Sequence, residues 1–197
     1  MAKVLDRPTT KPSRQDHEDD LGGRLSEMCE RWPDRRVELI NGRIVVRELP
    51  TGTHNDIVFW ILTQLLSTVT ERGWKIWNDI KLHLGPQSDR YRPDLTVVPP
   101  NPRMWGEDET YGDTTLLVVE VVSSSSINDD HVVKPRNCAL AGVPLYLVID
   151  TFEEQIRLLS DPSKTGYSRE VIVKFGALLD LPAPWNLTID TGKLIEE

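Results

Sequence analysis

The chain has 197 residues, of which 39% are hydrophobic and 27% charged, and it carries a formal net charge of −8. That length can bury a core without disulfide or metal staples, and no apolar run approaches the ~20 residues needed to span a bilayer. The acidic balance excludes a protein that coats DNA through a broadly basic surface, so phosphate contact would rest on a local basic patch or on bound metal cations.

Two cysteines, Cys29 and Cys138, suit a reducing cytoplasm and exclude a disulfide framework. The stretch Met1–Asp20 lacks the apolar core of a secretory signal. Residues 1–24 are polar with cancelling charges, and are expected to form a flexible tail ahead of a single domain, residues 25–197. A short helix is expected around Leu25–Arg31, ended by Pro33. Arg36–Ile40 and Arg43–Leu49 flank Asn41-Gly42, a pair that accepts the positive φ angles of a type I′ turn, so the two runs form a hairpin. From Thr53 to Arg72 the apolar residues Ile57, Ile61, Leu65 and Val69 follow the helical period, with Thr53 and Asp56 as capping residues and Gly73 as the stop.

Strands are expected at Trp74–Asp79, Ile80–Leu84, Pro93–Val98, Thr115–Val122 and Leu145–Asp150. An acidic loop, Gly106–Asp113, separates two of them, and a helical stretch fills Asn128–Ala141 up to Gly142. Short strands at Gln155–Ser160, Val171–Lys174 and around Leu187–Ile189 complete the pattern. The alternation predicts an α/β fold, with a mixed central β-sheet flanked by helices.

The chemistry concentrates in two of these strands. In Leu116-Leu-Val-Val-Glu120-Val-Val122 a carboxylate interrupts a run that reads as a strand buried on both faces. Desolvating that charge costs several kcal/mol, so a cation, a metal or a proton must compensate; a buried salt bridge is the plainer alternative. In Arg92-Pro93-Asp94 a second carboxylate opens an apolar strand, with Pro93 where no ladder donor is needed. If the strands are neighbours, Asp94 and Glu120 face one another, and such an oxygen-rich pair suits Mg²⁺ or Mn²⁺.

Other features are weaker. Ser123–Ser126 lacks a nucleophile elbow and reads as a loop and helix cap, with Ser126 and Asp129 in capping-box spacing. His54, His83 and His131 have no zinc-ligand spacing with the cysteines; His54 reads as a helix-end residue and His83 as a strand-surface residue. Arg43, Arg47, Lys81, Arg90, Arg92 and Arg136 are the candidates for a local basic patch, against the alternative of a solvated surface. Cys138 reads as a small buried residue, and the tryptophans, Trp60, Trp74, Trp77 and Trp105 among them, as core or interface packing.

Taken in order, several of these segments resemble one family. They are Glu38-Leu-Ile-Asn-Gly42, His54 at the head of the long helix, Arg92-Pro93-Asp94, Glu120-Val-Val-Ser123, Asp130, Lys134, Gly142-Val143, Tyr146 and Val148-Ile-Asp150. The set is similar to the Uma2 (DUF820) group of the PD-(D/E)XK nuclease superfamily, over about Val37 to Asp150. The resemblance implies a restriction-endonuclease-like core with an N-terminal β-hairpin. It also implies Mg²⁺- or Mn²⁺-dependent hydrolysis of nucleic acid, with DNA the expected substrate and a homodimer natural for the family. Asp94 and Glu120 would then coordinate the metal together with the backbone carbonyl of Val121, and Glu38 would be an accessory acid. The superfamily's usual lysine, two residues after the glutamate, is Val122 here; in this group it moves to the following helix, where Lys134 matches. Pro135 directly after Lys134 either kinks that helix or starts it anew. Val122 and Pro135 also motivate an alternative, a catalytically inactive nuclease-fold protein that binds DNA or a protein.

Overall fold

The structure, a computed structural model, describes residues 14–85 and 88–194, with side chains from residue 20 onward. Residues 1–13 of the expected tail lie outside the described residues. The first helix, α1 (Arg14–Arg31), begins well before Leu25. Leu25 is buried, with Leu21, Met28 and Cys29 packed partly against Val37 and Leu39, so tertiary packing anchors a helix whose N-terminal part, with Gly22, Gly23 and three aspartates, has low propensity of its own.

The hairpin forms as expected: β1 (Arg36–Ile40) pairs antiparallel with β2 (Arg43–Arg47), and Asn41 and Gly42 adopt φ of 49° and 72°. The long helix α2 (Gly52–Glu71) follows. Its N-cap is Thr51, whose side chain accepts a hydrogen bond from the backbone N–H of His54, so Thr53 lies inside the first turn. Next come β3 (Lys75–Trp77), β4 (Lys81–Leu84), β5 (Asp89–Tyr91), β6 (Leu95–Val98), β7 (Glu109–Tyr111) and β8 (Leu117–Val121). One wide π-type turn (Asp129–Val133) leads into α3 (Lys134–Leu140). The chain then forms β9 (Leu145–Asp150), β10 (Gln155–Ser163), β11 (Gly166–Lys174), β12 (Leu178–Leu181) and β13 (Leu187–Asp190). The acidic segment read as a loop thus contains β7. Three residues are too short to show a period in sequence, and β7 is held by parallel pairing with β4.

The mixed α/β architecture is as expected, with the strands divided among sheets. A six-stranded sheet runs β11-β10-β9-β8-β6-β3, a five-stranded sheet runs β2-β1-β5-β4-β7, and β12 and β13 pair alone. Strand β8 sits at the centre of the larger sheet, antiparallel to β6 and parallel to β9. Alternation sends Leu117, Val119 and Val121 to one face, where Ile57, Val58, Ile61, Leu65 and Val69 of α2 cover them. Val118 and Val122 point to the other face, against Cys138 of α3 and against Ile40, Leu82, Leu84 and Tyr91 of the smaller sheet. Glu120 shares that second face, so its carboxyl enters the seam between the two sheets. Cys138 is fully buried, as its reading as a small core residue requires.

Leu65 lies in the middle of α2 with no exposed surface. Leu65→Ala is expected to lower unfolding stability by about 2–5 kcal/mol, because removed methyl groups leave a cavity that the sheet beneath cannot close. Urea denaturation should show a lower midpoint with an unchanged slope.

Candidate active site

The two expected motif strands lie side by side. Asp94 immediately precedes β6, and its Oδ2 accepts the Val121 N–H at 2.8 Å, so the carboxylate is tied to the backbone next to Glu120. Its Oδ1 accepts from Arg36 Nη1 at 2.8 Å, and His54 Nε2 lies 3.0 Å from the same oxygen. Burial pushes the Asp94 carboxyl up, but His54, Arg36 and the Val121 N–H outweigh it and hold the carboxyl at about 2.

Glu120, Glu38 and Asp130 converge on one ammonium. Lys134 Nζ is 2.8 Å from Glu120 Oε1, 3.1 Å from Glu38 Oε1 and 3.2 Å from Asp130 Oδ1, and all four residues are buried. The wide turn before α3 explains how Lys134 reaches inward in spite of Pro135. The Lys134 N–H donates to Asp129 O, five residues back, and the N–H-less proline falls in the first turn of α3. The helix does not start anew at Pro135 as one expectation had it: Val133 and Lys134 keep right-handed helical angles, and the coil passes from the wide turn straight into α3. Burial alone would strip the proton from Lys134; the three carboxyls reverse this and hold it protonated well above its ordinary range.

Glu38 is fully buried yet amply supplied with donors. Besides Lys134 it accepts the Arg92 N–H at 2.9 Å and Arg47 Nε at 3.3 Å. Burial raises its carboxyl, and Lys134, the Arg92 N–H and Arg36 bring it below the ordinary range. Glu120 shifts the other way. Burial raises it, Lys134 opposes, and the neighbouring Asp130, Asp94 and Glu38 raise it further, so it stays well above the carboxylate range. The cause is a charge imbalance: Glu38, Asp94, Glu120 and Asp130 face Lys134 and Arg36, while Arg47 is shared between Glu38 and Asp129.

A cleft of about 920 Å³ opens above this floor. Glu120, Val121, Asp130, Lys134, Arg36 and His54 all line it. Asp94 does not; it opens on a smaller recess of about 180 Å³, and Arg36 borders both spaces. The structure thus brings Glu120, Val121, Lys134 and Glu38 together, and sets Asp94 beside them behind Arg36.

Several expectations need correction. Asp129 does not cap the helix with Ser126: it pairs with Arg47 at 2.5 Å, while Ser126 Oγ donates to Asp130. His83 is buried, because Trp105 stacks over it at 4.0 Å with the rings nearly parallel. Four of the six candidates for the basic patch are drawn into ion pairs, Lys81 with Asp108, Arg90 with Glu109, Arg92 with Asp79, and Arg47 with Glu38 and Asp129, while Arg43 and Arg136 are exposed. Arg36 was not singled out in sequence; Asp130 and His54 entered the family pattern without a role, His54 being read as a helix end. Their contacts depend on how β1, the wide turn and the α2 N-terminus meet in space.

The comparisons with known proteins bear on the family and the fold. The Uma2 family, described as "Putative restriction endonuclease", matches residues 25–191. This chain belongs to the Uma2 family. Among solved structures, a crystal structure described as a putative nuclease belonging to DUF820, from Anabaena variabilis ATCC 29413, is similar with a TM-score of 0.61 and 17% sequence identity. The similarity covers 80% of this chain and 88% of that one. At that identity the likeness establishes the fold, a restriction-endonuclease-like α/β architecture. No curated protein matches the sequence. Among the described residues no helix is long and apolar enough to cross a membrane.

The family's chemistry calls for a divalent metal, and the donors of this Uma2 chain fit one. Carboxylate and carbonyl oxygens are the ligands hard divalent cations take, and Glu120 and Val121 line the cleft beside Asp94. Among the described residues no group of three or more His, Cys, Asp or Glu side chains is placed to hold a metal ion, the three carboxyls at Lys134 being gathered around its ammonium. Asp94 and Glu120 would therefore hold the ion as a pair, with water and substrate oxygens completing its shell, the manner Mg²⁺ favours.

Proposed function

We propose that this protein is a divalent-metal-dependent endonuclease that hydrolyses phosphodiester bonds of nucleic acid, with DNA as substrate. The observation that carries the reading is the convergence of Glu120 and Lys134 on the floor of the cleft, one strand away from Asp94, in a chain of the Uma2 family. In this reading Asp94, Glu120 and the Val121 carbonyl would hold Mg²⁺ or Mn²⁺, which would supply an activated water and neutralise charge on the phosphate. Lys134 turns its ammonium toward the same space and steadies the attacking water or a phosphate oxygen. Glu38 is a positioning residue: fully buried among its donors, it fixes the Lys134 ammonium beside Glu120. Arg36, which pairs with Asp94 and borders the cleft, would exchange that partner for a substrate phosphate.

That last step is also where a second reading finds support. Arg36 already sits on Asp94 and Lys134 on Glu120, so cations of the chain itself satisfy both carboxylates. A nuclease-fold protein that only binds nucleic acid or protein would keep these pairs permanently. Calorimetric titration with Mn²⁺ separates the two. The enzyme reading expects the wild type to bind, and Asp94→Asn, which keeps a carbonyl for the Val121 N–H, to lose about tenfold or more in affinity. No binding by the wild type up to millimolar Mn²⁺, with or without DNA, would sink the enzyme reading in favour of the binding module.

A further inference from the structure

The walls of the cleft are unlike its floor. Trp60 of α2, Phe152 in the turn after β9 and Phe175 in the turn after β11 all line it. Phe152 is 57% exposed, while Trp60 and Phe175 are only partly covered by the core. A lone exposed phenylalanine needs no explanation, but three aromatic side chains around one concave space do.

The turns that carry two of them are fastened. Asp150 Oδ1 accepts the N–H groups of Phe152 and Glu153 at 2.9 and 3.0 Å, while its Oδ2 meets His131 Nε2 at 2.8 Å. The Phe175 N–H donates to Glu154 O at 2.9 Å, and Lys174 Nζ reaches Glu153 O at 2.6 Å, which ties the Phe175 turn to the Phe152 turn. The aromatic wall is therefore set in place before any ligand arrives, and little ordering entropy remains to be lost on binding.

Charge limits what can fill this space. Lys193 lies over the Trp60 ring, 5.2 Å from its centroid, and Arg36 and Arg47 also line the cleft. Glu48, Asp56 and Glu154 line it too, and Lys81, Arg90 and Arg92 are each held by a carboxylate elsewhere. A duplex presents two rows of phosphates and is gripped by several uncommitted cations along its length. A single strand needs fewer, because each base can stack on an aromatic face. The volume, about 920 Å³, is that of a site enclosing a small-molecule ligand rather than the side of a helix.

We infer that the cleft takes an unpaired stretch of nucleic acid, its scissile phosphate on the Glu120–Lys134 floor and its flanking bases stacked on Phe152, Phe175 and Trp60. The inference rests on the nuclease reading for the floor and on the aromatic wall for the strand. DNA and RNA single strands offer the same stacking faces, and both belong in the test.

Anisotropy with short labelled single strands of DNA and RNA and with the matching DNA duplex, in Mn²⁺, measures affinity; the same samples run on gels measure cleavage. The single strand is expected to bind about tenfold tighter than the duplex and to be cut faster. Phe152→Ala is expected to weaken single-strand binding about five- to 100-fold, with Mn²⁺ affinity unchanged, because its ring lies mostly in solvent and supports little of the fold. Phe152→Leu keeps an apolar side chain without the π face and should lose most of the same affinity. Ile172→Ala, which removes an equally exposed apolar side chain from β11 away from the cleft, should lose none. Phe152-dependent single-strand binding without cleavage would uphold the aromatic wall and overturn the nuclease reading. Equal binding and cutting of duplex and single strand, with Phe152→Ala silent, would uphold the nuclease and overturn the wall. Failure of every form to bind overturns both.

Discussion

Replacing Lys134 with methionine is expected to destabilise the fold by about 3–5 kcal/mol near pH 8, and by much less near pH 5. Methionine matches the aliphatic stem of lysine, so the loss isolates the ammonium. Without it, Glu38, Glu120 and Asp130 face one another across a buried space with their principal counter-charge gone. Glu38 suffers most, because Lys134 is what chiefly brings its carboxyl down against the upward push of burial. In the variant that carboxyl joins Glu120 and Asp130 above the ordinary range. The sign of the pH effect follows. An acid whose folded value exceeds its unfolded value binds more protons when folded, so its contribution to stability falls as pH rises above the unfolded value. Lowering the pH toward the ordinary carboxylate range lets the three groups take protons and relieves the repulsion. Urea unfolding of wild type and variant at both pH values measures this, and a loss that does not change with pH would refute the charge account. Glu120→Gln in the Lys134→Met background should recover part of the loss, because one carboxyl of the crowded set can no longer ionise.

How much of this was legible in sequence depends on whether the signal was local. Glu120 stood out because a carboxylate in a run of β-branched residues is an anomaly in any fold, and β8 was correctly read as buried on both faces. Asn41-Gly42 was legible because its turn geometry is set within four residues. Lys134 was legible only through the spacing of a family pattern; its own neighbourhood, with Pro135 beside it, argues for a surface helix. What turns it inward is one residue of extra winding in Asp129–Val133, which has no period to read. Asp130 rides on the same turn. Arg36 and His54 were hidden for another reason: one leaves a strand of the smaller sheet, the other heads a helix, and they meet only because Asp94 lies between those elements. The strands β5 and β7 escaped because three residues carry no alternation. The basic patch was legible only in part, since its cations were visible while the carboxylates that pair with four of the six, in other strands and loops, were not.

Glu120→Gln is the change expected to separate chemistry from folding. Burial and the neighbouring carboxyls raise Glu120 above the ordinary range, and a neutral amide of the same shape can still accept from Lys134 Nζ through its carbonyl oxygen. Unfolding stability should stay within about 1 kcal/mol of wild type near the ordinary carboxylate range, about pH 4 to 5. As pH rises above that range the variant should become the more stable of the two. Wild-type Glu120, raised above its unfolded value, binds more protons folded than unfolded and so loses stability with rising pH, whereas glutamine does not titrate. The amide is a far poorer ligand for a divalent cation than a carboxylate, and on the proposed reading it removes one of the two side chains that hold the ion. Cleavage should therefore fall by about 10³-fold or more, the equivalent of the several kcal/mol that a metal contributes to a phosphoryl transition state. In the wild type, Mn²⁺ must displace the Glu120 proton, so affinity should rise with pH and the calorimetric heat should vary with the ionisation enthalpy of the buffer. Both dependences should be absent from Glu120→Gln. Full cleavage by this variant would remove Glu120 from the chemistry and leave the carboxylate as a partner of Lys134 alone.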